Sequence, residues 1–124
     1  MNERKLNVVR DKSFSFAIRM VHLYKYLSSN KKEYVLSKQL LRSGISVGAN
    51  VREVVNAQSK KDFIHKLSIA QKECDETIYW LELLKETKYI NISEFENSES
   101  EATELPKIIK SIIIATKNDS IIHN

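Results

Sequence analysis

With 124 residues, one proline and two glycines, the chain has too few turn-makers for a β-rich architecture, and one all-α domain is the class that remains. A single cysteine, Cys74, excludes an intramolecular disulfide and any CxxC-type metal site, and no run of about 18 apolar residues is present to span a membrane. The net charge of +4 conceals a division: residues 1–72 carry 15 Lys/Arg against 5 Asp/Glu, residues 73–104 carry 2 against 10, and residues 105–124 carry 3 against 1. Such segregation fits either a basic surface that attracts phosphate or complementary faces that pair between or within subunits. The first residues, MNERKLNVVRDKSFSF, carry charges where a secretion signal needs an apolar run, so the cytosol is the expected compartment.

The first helix is predicted over about Lys12–Leu27, where Phe16, Met20, Leu23 and Leu27 form one apolar stripe. Asn30 with Glu33 offers a capping pair for a second helix over about Lys32–Ala57, which aligns Leu36, Leu40, Gly44, Val47, Val51 and Val54. Within it Gly44 and Gly48 each cost roughly 1 kcal/mol relative to alanine, and close approach of another helix to the small face Ser43, Gly44, Gly48 and Ala49 repays that. Ser59 and Asp62 have capping-box spacing and open a third helix.

The third helix has the cleanest seam in the chain: Phe63, Leu67, Ala70, Cys74, Thr77, Leu81 and Leu84 alternate steps of four and three. Ile64, Ile69, Ile78, Trp80 and Leu83 fall outside that seam, a surplus that either widens the core-facing stripe or is buried against another subunit. Ser93 and Glu96 offer a further capping box for a fourth helix, acidic in its first half and apolar in its second. Pro106 requires either a kink in that helix or a late start near Thr103. The ends, about 1–10 and 118–124, are expected to fray.

The stretches LLRSGISVGANV, SKKDFIHKLSIAQKE and ETIYWLELLKET, within Leu40–Tyr89, resemble the four-helix bundle proteins also known as the 23S rRNA intervening-sequence protein family. The resemblance implies an antiparallel up-down-up-down four-helix bundle that assembles into a ring, commonly a homopentamer, and some members are encoded within insertions in ribosomal RNA genes. A related branch comprises the accessory variability proteins of diversity-generating retroelements, which partner a reverse transcriptase and bind nucleic acid. The chain departs from the family pattern at Arg52, where alanine is usual, and at Pro106, where an ordinary helix residue is expected.

No catalytic constellation stands out. His22, His65 and His123 belong to no HExxH motif, and Asp62-Phe-Ile-His65 supplies once an acidic-x-x-His spacing that di-iron bundles need twice. Cys74 sits on the seam beside Glu73, Asp75 and Glu76, a setting that discourages a thiolate. Neither cofactor nor metal is expected. Asn50 and Glu53 fit a buried polar pair that fixes helix packing. Tyr24, Tyr26, Tyr79 and Trp80 fit the core or a subunit contact better than base stacking.

Binding is the class that remains. Lys60 and Lys61 open the third helix, where unpaired N–H groups and the macrodipole also favour an anion, and Lys66 follows on the same general side. Lys38, Arg42 and Arg52 on the second helix extend these into a basic strip facing RNA or DNA, unless Arg42 and Arg52 pair with Glu53 or with acidic third-helix residues of a neighbouring subunit. The expectation is a non-catalytic homo-oligomer that binds structured nucleic acid electrostatically. The alternative is a protein-binding scaffold or accessory subunit for a nucleic-acid enzyme such as a reverse transcriptase.

Overall fold

The computed structural model of the chain describes residues 3–122. Four helices account for nearly all of them: α1 (Glu3–Ser29), α2 (Leu36–Glu53), α3 (Lys60–Glu86) and α4 (Ile92–Ile122), with a 3₁₀ turn at Val54–Asn56 after α2. Connections this short force consecutive helices to be antiparallel neighbours. Each helix packs on the next and α4 closes back on α1, whereas the diagonal pairs do not approach each other. The result is an all-α, up-down-up-down four-helix bundle, with no strand among the described residues.

The α1 stripe starts earlier than its apolar residues alone indicate. Val9, Ser13, Phe16, Met20, Leu23 and Leu27 are all buried, in steps of four and three, and Ser13 interrupts the apolar series. It is small for a reason. A Cβ added to Gly48 would lie 3.2 Å from the Ser13 carbonyl oxygen, and one added to Gly44 would collide with the Met20 side chain. The two glycines therefore serve the close approach of α1 to α2, as their sequence cost implies. The other small residues do not share that face: Ser43 is buried and meets Thr77 of α3, and Ala49 is exposed.

The helix starts are set by carboxylates and amides close to the expected positions. Lys32 has a φ of 56°, so α2 cannot begin there and starts at Leu36. Asn30 is no cap. Instead Glu33 alone accepts from the backbone N–H groups of Val35 (3.2 Å), Leu36 (3.0 Å) and Ser37 (2.7 Å), while the Ser37 hydroxyl donates to the Glu33 carbonyl. Burial would raise the Glu33 carboxyl, but the N–H groups of Leu36, Ser37 and Val35 outweigh it and hold the group below the usual carboxylate range. At α3 the Ser59 hydroxyl accepts from Asp62 N–H at 3.0 Å, and the Asp62 carboxylate returns to Gln58 N–H at 3.1 Å, one residue earlier than a strict capping box. α4 is capped by Asn91, whose side-chain oxygen accepts from Glu94 N–H at 2.7 Å, so Ser93 lies inside the helix.

α4 continues through Pro106, and no late start occurs near Thr103. The proline lacks the N–H that would bond to the Ala102 carbonyl. Its own carbonyl accepts from the Gln71 side chain of α3 at 3.3 Å. α3 ends in a Schellman motif: Tyr89 N–H donates to Leu84 O at 2.9 Å and Lys88 N–H to Lys85 O at 3.0 Å. Lys88 takes the left-handed position there, with a φ of 68°.

From Leu67 to Leu84 the α3 seam is fully buried, with Phe63 half-buried at its start. The surplus apolar residues of α3 are accommodated within the chain, since Ile64, Ile78 and Trp80 pack on the core and Ile69 and Leu83 are half-buried. Large apolar side chains left exposed occur on every helix: Val8, Phe14, Ile18 and Tyr26 on α1, Ile45 on α2, Tyr79 on α3, and Ile92 and Ile114 on α4, with Tyr34, Val35 and Val55 beside α2.

Candidate nucleic-acid interface

The fold spreads the six predicted cations along the bundle rather than gathering them into one strip. Lys38 lies in the first turn of α2 and Arg52 near its end, about 21 Å away at 1.5 Å per residue, and Lys60 and Lys61 share the end with Arg52. Nor do Arg42 and Arg52 share a face. Ten residues at about 100° each fall about 80° short of three turns, which turns Arg42 toward α3 and Arg52 toward α1.

Arg42 is engaged inside its own chain. Its guanidinium donates to Glu73 at 3.3 Å and to Glu76, so the acidic partners foreseen for it on the third helix belong to the same bundle. The Trp80 indole N–H, which donates to Glu76 at 3.0 Å, and the Arg42 guanidinium together hold that carboxyl below its usual range against the opposing effect of burial. Arg52 lies 5.3 Å from the centroid of the exposed Phe14 ring, a cation–π contact that leaves its charge available. Lys66 lies 3.9 Å from Asp62, whose carboxylate already sits in the first turn of α3. An incoming phosphate at that helix start therefore meets a resident anion. Lys38, Lys60 and Lys61 are exposed and form no ion pair among the described residues.

Three further cations come from a part of the sequence far from these. Ala115, Thr116 and Asp119 of α4 line a hollow of about 300 Å³ together with Ser59, Lys60 and Phe63, which brings the end of α4 to the start of α3. Residues 57–66 and 110–119 thus meet toward one end of the bundle with five Lys against two Asp, while Lys72 and Lys107 lie near its middle, beside the Gln71–Pro106 hydrogen bond. Lys107, Lys110 and Lys117 are all exposed. Arg4, Lys5 and Arg10 of α1 lie at that same end, since α1 starts where α4 finishes. The signal in the sequence is the positive tail after residue 105, which antiparallel order places beside Lys60 and Lys61.

The acidic half of α4 is directed elsewhere. Residues 92–106 hold five Glu and no Lys or Arg. Across the α1–α4 seam Arg19 donates to Glu94 (3.2 Å) and Glu101 (3.0 Å), and Lys12 to Glu104 (3.2 Å). Part of the charge division is therefore complementary pairing within the chain, in half-exposed ion pairs worth about 0–1 kcal/mol each.

Side chains of the kinds used in catalysis or metal binding are buried or dispersed among the described residues. Cys74 is fully buried, and burial followed by the charges of Asp75 and Glu73 pushes its thiol up to about 12. Among the described residues no three His, Cys, Asp or Glu side chains gather as a metal site. His123 lies outside the described residues. Asn50 donates to the Ser46 carbonyl at 2.9 Å and Glu53 is exposed, so they are not the buried polar pair expected. Trp80 packs edge-on to Tyr79 at 5.1 Å, whereas Tyr79 and Tyr26 are more than 40% exposed. No helix among the described residues is long and apolar enough to cross a membrane.

Residues 4–111 match the family model of the 23S rRNA-intervening sequence protein. The chain belongs to that family. A crystal structure of a protein of unknown function from the S23 ribosomal protein family of Bacteroides thetaiotaomicron is 56% identical, with a TM-score of 0.87 over 88% of this chain and 97% of that one. No curated protein matches. Arg52 and Pro106 therefore fall within the region matched by the family and leave the bundle intact.

Proposed function

We propose that this protein is a non-catalytic, self-associating bundle that binds structured nucleic acid in the cytoplasm through the end where α3 begins and α4 finishes. The observation that carries this reading is the meeting of residues 57–66 and 110–119, five Lys against two Asp, toward one end of the bundle. Lysines presented on helix ends act as point charges for phosphate oxygens and read no base, so the interaction is electrostatic and strongly salt-dependent. The family name refers to an insertion in ribosomal RNA, which favours RNA as the polyanion. Copies joined in a ring, pentameric as the resemblance implies, multiply the number of phosphate contacts.

The test is fluorescence anisotropy with labelled structured RNA, duplex DNA and single strands at two salt concentrations. Two variants accompany the native protein, Lys60→Glu/Lys61→Glu and Lys110→Glu/Lys117→Glu. Binding should weaken steeply with salt, with a log–log slope of about −0.9 per phosphate contacted on a duplex, and both variants should lose it. Absence of binding to every probe at low salt overturns the reading and leaves the protein scaffold as the function.

A further inference from the structure

Resting on the nucleic-acid reading above, we propose that the hollow between the start of α3 and the end of α4 receives one unpaired base of a structured RNA, a guanine by preference, while the lysines around it hold the flanking phosphates. The hollow measures about 300 Å³, at the small end of ligand-site sizes, which suits a single base. Its apolar part is built from Val54, which is buried, with Ala57, Phe63 and Ala115. Phe63 is half-buried and packs on the core, so its ring is already ordered and offers a fixed surface on which a base stacks. Lys60 lines the same hollow, and Lys117 follows Thr116 along α4.

The polar edge of the hollow chooses the base. Ser59 Oγ accepts from Asp62 N–H, and the Thr116 hydroxyl donates to the Ile112 carbonyl at 2.8 Å, so both are partly committed to the backbone. Asp62 is explained as a cap of α3. Asp119 caps nothing and forms no ion pair among the described residues, although lysines gather at this end. It stands in the last turn of α4, where the macrodipole disfavours a carboxylate, and it weakens the pull on phosphate. What a carboxylate can do there is accept N–H groups. Guanine presents two adjacent donors, N1–H and the 2-amino group, which one carboxylate accepts together, and the Ser59 hydroxyl proton that the cap leaves unused can donate to O6. Adenine and cytosine present one amino group. Uracil presents N3–H between two carbonyl oxygens that the carboxylate repels. The hollow thus supplies the base reading that lysines on helix ends lack, and it favours a base already out of the stack, in a bulge or loop, because extruding a paired one costs unstacking.

The experiment is fluorescence anisotropy with a single RNA hairpin, either fully paired or carrying one bulged guanine, adenine, cytosine, uracil or abasic nucleotide. The native protein should bind the guanine bulge about tenfold tighter than the abasic one, which has the same phosphates and the same freedom to bend, with uracil the weakest of the bases. Phe63→Leu keeps the apolar volume and removes the stacking surface, so it should lose most of that advantage, with circular dichroism verifying helix content. Asp119→Ala should bring guanine down to uracil and yet strengthen binding to the fully paired hairpin, because an anion is gone. Equal binding of the guanine and abasic bulges, or a guanine preference that survives both substitutions, overturns the base site and leaves phosphate binding standing. Absence of binding to every form of the hairpin overturns both.

Discussion

The Ser43 and Thr77 hydroxyls lie 2.9 Å apart in the buried seam between α2 and α3. Ser43 also lies 3.3 Å from Leu40 O, and Thr77 2.7 Å from Glu73 O. Two protons serve three contacts, so one hydroxyl donates to the other while the second donates to a carbonyl of its own helix. Ser43→Ala and Thr77→Val should each cost about 1 kcal/mol, and the double variant less than the sum, with a coupling of about 0.5–1.5 kcal/mol. A double-mutant cycle by urea denaturation measures it, and strict additivity would show that the hydroxyl pair does not couple the two helices.

Gly44→Ala gains roughly 1 kcal/mol of helix propensity yet drives its methyl into Met20, which is fully buried and has no free direction to move. Overpacking of this kind costs about 1–3 kcal/mol, so the net change should be destabilising. Gly48→Ala meets the Ser13 carbonyl at 3.2 Å and should come out milder, the propensity gain offsetting most of the strain. Thermal melts of the two variants should rank them in that order.

The Glu33 cap makes stability depend on acid. Its folded-state pKa lies below the unfolded value, so the stabilisation is complete above the unfolded carboxylate range and is lost as pH falls through the folded pKa. Glu33→Gln should lose about 1 kcal/mol near neutral pH, and its melting temperature should fall less than that of the native chain on going to acid. Parallel melting curves for the two proteins across that range would refute the assignment.

Lys88 holds a left-handed conformation that costs an ordinary residue roughly 1–2 kcal/mol. Lys88→Gly removes that cost while retaining the Schellman hydrogen bonds, and should raise stability by about 0.5–1 kcal/mol in chemical denaturation.

A buried thiol pushed up to about 12 offers almost no thiolate at pH 8. Alkylation of Cys74 in the native protein should therefore proceed only through opening of α3, at a rate that rises with denaturant. Prompt stoichiometric labelling without denaturant would contradict the burial.

The bundle was legible in the sequence because α3 states its period without interruption from Phe63 to Leu84, and because Gly44 and Gly48 are affordable only where a helix comes close. Boundaries were less legible where one side chain does another's work. Ser13 hides the upstream half of the α1 stripe, since it is small to admit Gly48. Asn91 displaces Ser93 as a cap because both spacings are present in the sequence and only the turn after Tyr89 decides between them. The cation site was half visible: Lys60 and Lys61 announce themselves at a helix start, whereas Lys110 and Lys117 join them only once antiparallel order folds α4 back. For Arg42 the sequence offered acidic partners on the third helix, and only the packing of α2 on α3 shows that they are Glu73 and Glu76 of the same chain.

Five lysines gathered toward one end of a small bundle, Lys60, Lys61, Lys66, Lys110 and Lys117, repel one another, and that repulsion is carried by the folded state more than by the extended chain. Any polyanion that settles there relieves it, and so acts on the bundle as a thermal protectant whether or not it is the physiological ligand. Simple salt does the same by screening. The free protein is accordingly at its most fragile in dilute buffer, where nothing screens that repulsion.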